Sequence, residues 1–471
     1  MTSANQPPAF AFDFTRADRV NWSYAGRKQG LQGQPMTAEF FVDDRKVADQ
    51  LASVLPPLMA DAVDIASAAH TADCLAPRTV IQSSNWSRNL ELSVCVRCPE
   101  QWSDPVTKER LERLLAFLTE DVWHLAFVPR RDSRRSSELQ NHFAFAGSSG
   151  NGAEVSLFSG GLDSLAGTAG RASECPTRLI LVSASPNPQQ RSRQQSQVKV
   201  LREEFGAPIS HVCVPYGIHR GDEYTQEPSR RTRGLLFLIF GGVTALLAES
   251  SALYLYENGI GAMNLPYDQS QIGADNTRAC HPRVLREVGE LLSLVGGKQF
   301  AIQNRCIYTT KADMLRHSWI DRVRGAIPFT FSCDGFPVRA KGRPQCGFCT
   351  SCLLRRYSLE LAGLGEVDLN GYLQDLRSPS FRPTRHQLRG LQAMDWQVLG
   401  LERCLADRDP WHAATIRFPG LRVLANDLSL NEQGAPARVE AKLLRVLRQH
   451  VADWPSFSAL RLLNASTRTL A

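Results

Sequence analysis

The hexapeptide Ser159-Gly160-Gly161-Leu162-Asp163-Ser164 constrains this chain more than any other stretch. A short apolar run over 155–158 leads into it, and a helical pattern of apolar residues starts at Leu165. The run reads as a buried strand. Two consecutive glycines let the backbone turn tightly and approach a bulky anion. Ser159 and Ser164 offer hydroxyls, and the first N–H groups of the following helix point at the same spot. Such a loop suits a phosphate, and Asp163 could hold a Mg²⁺ that bridges phosphate oxygens. An ordinary Gly/Ser turn is the competing reading. The loop is not a Walker loop, whose glycine spacing and lysine are missing.

Beyond the loop, expected strands over 179–183, 211–214, 253–256 and 300–303 alternate with expected helices over 194–205, 232–249 and 282–295. With the strand at 155–158 this predicts an α/β domain built on a parallel five-stranded sheet with helices on both faces. Ligands of such sheets bind beyond the carboxyl ends of the strands. That rule gathers 159–164, 183–189, 257–264 and 304–311 on one rim. Glu257, Asn258 and Gly259 close the fourth strand, and Asn264 follows. Arg278 could clamp a carboxylate or phosphate with its fork of donors. His281, before Pro282, could donate to a ligand or cap the next helix. Arg230, Arg231 and Arg233 open the long apolar helix, where cations oppose the dipole. A bound anion would account for them; a solvated loop is the alternative. Lys311 could reach a phosphate, or Thr310 beside it could simply cap a helix.

Cys333, Cys346, Cys349 and Cys352 form a second strong signal, the last three in a C-x2-C-x2-C spacing. Four thiolates suit a closed tetrahedral Zn²⁺ site, and an iron–sulfur cluster uses the same ligands. The chain has twelve cysteines and no apparent export signal, which argues for reduced thiols and a cytoplasmic location. The most apolar stretch, 235–248, is too short to span a bilayer and contains Gly241 and Gly242, so it reads as a buried helix. A net charge of +7 is too small and too spread to indicate direct nucleic-acid binding.

At 471 residues the chain exceeds one ordinary core, and we divide it at 1–150, 151–365 and 366–471. The first part reads as an α+β module. Strands are expected over 38–42, 89–96 and 123–128, and helices over 47–55, 58–69 and 108–118, with Pro56-Pro57 as a break. Cys95 and Cys98 read as structural, the basic run Arg130 to Ser137 as a solvated loop, and 147–152 as a hinge. In the last part, helices are expected over 387–407 and 439–454, the second packing on its own domain or on a partner.

The hexapeptide resembles the PP-loop of the N-type ATP pyrophosphatases, of the adenine nucleotide alpha hydrolase-like fold. Taken with the cysteine cluster, it resembles the 7-cyano-7-deazaguanine synthase family (QueC) over about residues 153–360. The elements that carry this are Ser159–Ser164, Pro228–Arg231, Thr310-Lys311 and Cys333 with Cys346–Arg355. The resemblance implies ATP, Mg²⁺ and structural Zn²⁺, with adenylation of the carboxylate of a 7-deazaguanine and its transfer to an amine. The loop, with Arg231, would then bind ATP. Asp163, Arg278 and Lys311 would serve catalysis, and Glu257, Asn258, Gly259, Asn264, Arg278 and His281 would receive the base. The added N- and C-terminal parts and the replaced substrate loop look like the longer QueC-like proteins of anti-phage systems, notably the Qat system. That likeness implies partners from a defence operon and leaves the nucleophile open between ammonia and a partner amine. A homodimer is a further open assembly state. The other readings are a PP-loop tRNA-modifying enzyme that transfers sulfur, for which Cys280 could be the carrier, and a silent nucleotide-binding scaffold.

Overall fold

The computed structural model describes residues 9–463 apart from 15–17, 26–35, 46, 48–50, 52–53, 79–86, 133–135, 140–151, 175–177, 220–225, 267–277, 335–344, 375, 377 and 379–380. The expected hinge at 147–152 lies almost wholly outside the described residues, as does most of the expected helix at 47–55.

Among the described residues, ten strands join in one sheet: β1 (Ala9–Phe14), β2 (Arg19–Ala25), β3 (Met36–Val42), β4 (Asn89–Val96), β5 (Val122–Pro129), β6 (Glu154–Leu157), β7 (Leu179–Ser185), β8 (Ile209–His219), β9 (Ala252–Leu255) and β10 (Ala301–Asn304). Their order is β10-β9-β6-β7-β8-β3-β2-β1-β4-β5. The five strands expected around the loop are adjacent and parallel, but they are half of a larger sheet. Strand β8 makes the join. Its residues 209–215 pair in parallel with β7, and its last four, Tyr216 to His219, pair antiparallel with β3. Sequence periodicity marks where a strand lies and not which edge it pairs with, so the continuation was invisible in it. β1 and β2, also absent from the sequence reading, alternate in the way a half-exposed strand does: Phe10, Phe12 and Phe14 are buried while Ala11 between them is exposed.

One helical layer covers a single face of the whole sheet: α1 (Pro57–Leu75), α2 (Pro105–Thr119), α5 (Arg233–Leu247) and α7 (Pro282–Gly296). The break expected at Pro56-Pro57 is present: residues 54–56 are not helical, and Pro57 starts α1 in its first turn, where its missing N–H costs nothing. Asp104 caps α2 by accepting the Thr107 N–H, and Leu111, Leu114, Leu115 and Leu118 form its buried face. On the opposite face of the parallel half lie α3 (Leu162–Glu174) and α4 (Pro188–Phe205). The short helices α6 (Gly259–Met263) and α8 (Lys311–Leu315) follow β9 and β10, and α9 (Thr350–Leu361) follows the cysteine cluster. The C-terminal part forms α10 (Arg385–Leu405), α11 (Pro410–Arg417), α12 (Gly420–Glu432) and α13 (Pro436–Asp453). Leu443, Val446 and Leu447 of α13 are buried in a core shared with Ile260 and Met263 of α6 and with Ile307. That helix therefore packs on its own chain and props up the rim. No helix among the described residues is long and apolar enough to cross a membrane.

Buried charges tie α1 to the β4–β5 edge. Arg88, fully buried, meets Asp73 at 2.6 Å and Asp121 at 2.6 Å, and Arg78 meets Asp121 at 2.7 Å. Burial opposes ionisation of Asp73, yet Arg88 beside it holds the carboxyl below its ordinary range. Breaking one side of a buried network leaves an uncompensated charge. We expect Arg88→Ala to lose about 3–5 kcal/mol of stability in urea unfolding; an unchanged midpoint would contradict the assignment. The basic run after β5 is not simply solvated, since Arg130 is buried on Asp64 at 3.1 Å.

Candidate active site

Strand order reverses at β6: β7 and β8 lie on one side of it, β9 and β10 on the other. The crevice beyond the strand ends at such a reversal is where α/β sheets bind ligands. The hexapeptide leaves β6 at that point. Gly160 adopts a φ of +83°, and a β-carbon there would run into Gln194 and Phe331. The Ser159 hydroxyl accepts the Gly161 N–H at 3.1 Å and donates to Ser164 Oγ at 3.2 Å, and Ser164 Oγ donates to the Gly161 carbonyl at 2.9 Å. Leu162 opens α3, so its free N–H groups and positive dipole end face the loop. Two glutamines of α4 grip the loop from behind: Gln194 Nε2 donates to the Ser159 carbonyl at 2.9 Å and Gln197 Nε2 to the Gly160 carbonyl at 3.0 Å. Sequence reading missed both. The available signal was a pair of glutamines at i, i+3 that the fold buries completely.

Asp163 binds three strand ends together. Its Oδ1 faces Lys311 Nζ, after β10, at 2.9 Å, and its Oδ2 accepts Asn258 Nδ2, after β9, at 2.6 Å and the Asn258 N–H at 3.2 Å. Asn258 Oδ1 caps α6 by accepting the Gly261 N–H at 3.0 Å. Gly259 donates its N–H to the Thr309 carbonyl at 2.8 Å, and α6 packs too closely on residue 307 for a side chain at that position. Asn264 ends α6 in a left-handed conformation. Thr310 caps α8 by accepting the Asp313 N–H, while Lys311 turns inward to Asp163.

Glu257 stands beside this cluster, 3.2 Å from Asn258 Nδ2. Burial, and next the negative charge of Asp163, push its carboxyl up to about 8, with Lys311 pulling the other way. A folded-state value above the unfolded one near 4.5 means that stability is greatest at low pH and is lost as pH rises from there through about 8. We expect Glu257→Gln to flatten that decline, a slope of at most about 1.4 kcal/mol per pH unit. Parallel pH–stability curves for the two proteins would overturn it.

A cavity of about 120 Å³ runs from Ser159 and Ser164 to Glu257 and Cys280, walled by Leu157, Ala184, Phe237 and Leu238. It is largely apolar with polar groups at its ends, the usual character of a small-molecule pocket. The Cys280 thiol at its edge is pushed well above its ordinary value by burial and then by Glu257 and Asp163.

Two arginines from the sequence list go elsewhere. Arg231, buried, donates to the Thr119 carbonyl at 3.0 Å, and Arg278 donates to the Phe117 carbonyl at 2.7 Å and to Glu120. Both serve the C-terminal end of α2, where exposed carbonyls and the negative dipole end favour cations. His281 caps α7, its Nδ1 accepting the Arg283 N–H at 3.2 Å. Burial, then Arg283 and Arg278, draw its imidazole down to about 3, so it is neutral, as an acceptor nitrogen requires.

The four cysteines converge. Their sulfurs lie within 4.8 Å of one another, and Cys346 Sγ is 3.9 Å from Cys352 Sγ. Tetrahedral ligation at about 2.3 Å puts sulfurs roughly 3.8 Å apart, so the cluster fits a metal ion such as zinc. The N–H groups of Cys346 and Cys349 point at Cys333 Sγ and Cys346 Sγ, both at 3.4 Å, which stabilises thiolates. None of the described cysteines is paired in a disulfide. Of the Asp163 oxygens, Oδ2 is held by Asn258, while Oδ1 has its ion pair with Lys311 at 2.9 Å but no hydrogen bond, and is the atom that would meet a Mg²⁺. No protein-family model matches this chain, and no curated protein matches it either.

Proposed function

We propose that this chain is an ATP-dependent carbon–nitrogen ligase of the 7-cyano-7-deazaguanine synthase type, built on a PP-loop fold, acting with other proteins of an anti-phage defence operon. One observation carries the reading: at the strand-order reversal, the Ser159–Ser164 loop and the helix start behind it are clamped through Asp163 to Asn258 and Lys311, next to a cavity of about 120 Å³. A polyphosphate suits the loop and a flat base suits the apolar cavity.

In the reaction, an oxygen of the deazaguanine carboxylate attacks the α-phosphorus of ATP, the bond to the β-phosphate oxygen breaks, and pyrophosphate leaves. An amine then attacks the acyl carbon, the bond to the AMP oxygen breaks, and AMP leaves. The surplus proton of the amine needs a base; burial and Asp163 push the Glu257 carboxyl up to about 8, so its ionised form, which prevails only above that pH, would take it. Ser159, Gly160, Gly161 and Ser164 hold phosphate oxygens, and Lys311 adds positive charge through its place beside Asp163. Zn²⁺ on Cys333, Cys346, Cys349 and Cys352 would close a loop and leave no position for chemistry.

The sulfur-transfer reading has Cys280 at the cavity in its favour. Against it, Cys346, Cys349 and Cys352 are gathered in one cluster, and a protonated Cys280 is a poor nucleophile.

The test is pyrophosphate release from ATP with 7-carboxy-7-deazaguanine and either ammonium or co-expressed partner proteins. Ser159→Ala should slow release by about 10²-fold, as loss of one oriented donor does. Release that needs tRNA would support sulfur transfer, and none with any substrate would leave a scaffold.

A further inference from the structure

A second cavity, of about 230 Å³, is bounded by Arg230 and Leu236, while the first is bounded by Gly234, Phe237 and Leu238 of the same helix start. Its lining is mostly polar. His70, Thr71 and Cys74 of α1 form one side, Arg230 another, and Phe40 and Tyr216, which share one face of the sheet, a third.

Among the described residues, the charges around it do not balance. Asp73 is taken by Arg88 and by Thr232, whose N–H it accepts at 3.0 Å and whose hydroxyl it accepts at 2.9 Å. Glu227 accepts the N–H groups of Arg78 at 2.8 Å and Ser229 at 3.2 Å. Arg231 is spent on α2. Arg230 and Arg233 are left with no carboxylate partner among the described residues, at the N-terminus of α5, where the dipole already repels cations. Arg230 also sits in a left-handed conformation, φ 45°, which disfavours any residue but glycine. Burial holds the His70 imidazole at about 4, so it is neutral, and its ring nitrogens already meet Thr232 Oγ1 at 3.3 Å and Cys74 Sγ at 3.8 Å. A cationic, partly enclosed cavity with an aromatic wall and buried hydroxyl groups matches an anion carried on a flat ring.

We propose that this cavity is a second ligand site, distinct from the Ser159–Ser164 loop, that takes a small aromatic phosphate through the Arg230 guanidinium. Arg233 adds attraction from the rim, Thr71 adds a hydrogen bond, and Phe40 and Tyr216 cover the ring. The proposal does not depend on the ligase reading.

The test uses phenyl phosphate as probe, titrated calorimetrically into the full chain, with phenol and inorganic phosphate as controls. Phenyl phosphate should bind, inorganic phosphate at least tenfold more weakly, and phenol not at all. Arg230→Gly relieves the left-handed strain, so it should fold at least as well as the parent yet lose phenyl phosphate at least tenfold. Ser159→Ala should bind the probe as the parent does. Equal binding by Arg230→Gly, loss in Ser159→Ala instead, binding of phenol as tight as that of phenyl phosphate, or no binding to the parent at millimolar probe would each overturn the site.

Discussion

Asp163→Ala is expected to lose about 3–5 kcal/mol of stability and to slow pyrophosphate release at least about 10²-fold. Both effects have one origin. Lys311 is buried, and its partner at 2.9 Å is Asp163, so the variant strands an ammonium group away from water. Asn258 loses the acceptor at 2.6 Å that fixes the start of α6, and the ends of β6, β9 and β10 are no longer held in one arrangement. Part of the loss should be recovered by Glu257. With the Asp163 charge gone, its carboxyl ionises more readily and can offset Lys311. A double variant, Asp163→Ala with Lys311→Met, removes the stranded charge. It should regain most of the stability and none of the activity. Urea unfolding and a pyrophosphate assay on the three proteins separate the two effects. A fully stable Asp163→Ala, or a double variant no more stable than the single, would show that the cluster does not couple these strand ends.

Cys352→Ser is expected to release a bound metal and to unfold the segment around it. Closed four-thiolate sites contribute on the order of 10 kcal/mol of folding free energy, and three sulfurs cannot close a tetrahedron of the same strength. The consequence should extend to the loop. Cys333 lies two residues beyond Phe331, whose N–H donates to the Gly160 carbonyl at 3.2 Å and whose ring packs on Gly160. Arg355, buried and bound to Asp368 at 2.7 Å and to Thr330 Oγ1 at 2.6 Å, ties the start of α9 to the same segment. Metal loss should therefore weaken nucleotide binding about tenfold, or about 1.4 kcal/mol. Metal content by mass spectrometry, limited proteolysis and nucleotide titration read the three effects. A Cys352→Ser protein that keeps a full equivalent of metal and native protease resistance would remove the cluster as a metal centre.

The Arg88 substitution addresses the N-terminal core, while those of Glu257 and Ser159 address the proton balance of the rim and the loop, which line one cavity. Their effects should be additive with those of Cys352→Ser only for Arg88→Ala, because residues that share a network do not act independently.

How much of this was legible beforehand follows from the range over which each feature is encoded. The loop and the cysteine cluster are local: glycine conformations, hydroxyls and sulfurs a short stretch apart fix their own geometry, so Ser159–Ser164 and all four cysteines could be read directly. The alternation of apolar runs placed β6 to β10, because burial on both faces leaves its mark in each run separately. It could not show that β8 carries on to meet β3. Arg231 and Arg278 illustrate the other limit. An arginine in the sequence says that a partner exists, not which one, and here the free carbonyls of α2 took both. The sequence alone determined the strand–loop–helix and the thiolate set, since each depends on neighbours in the chain. Only the tertiary structure decided that Asp163, Asn258 and Lys311 meet, because side chains so far apart in sequence are brought together by the register of the strands that carry them.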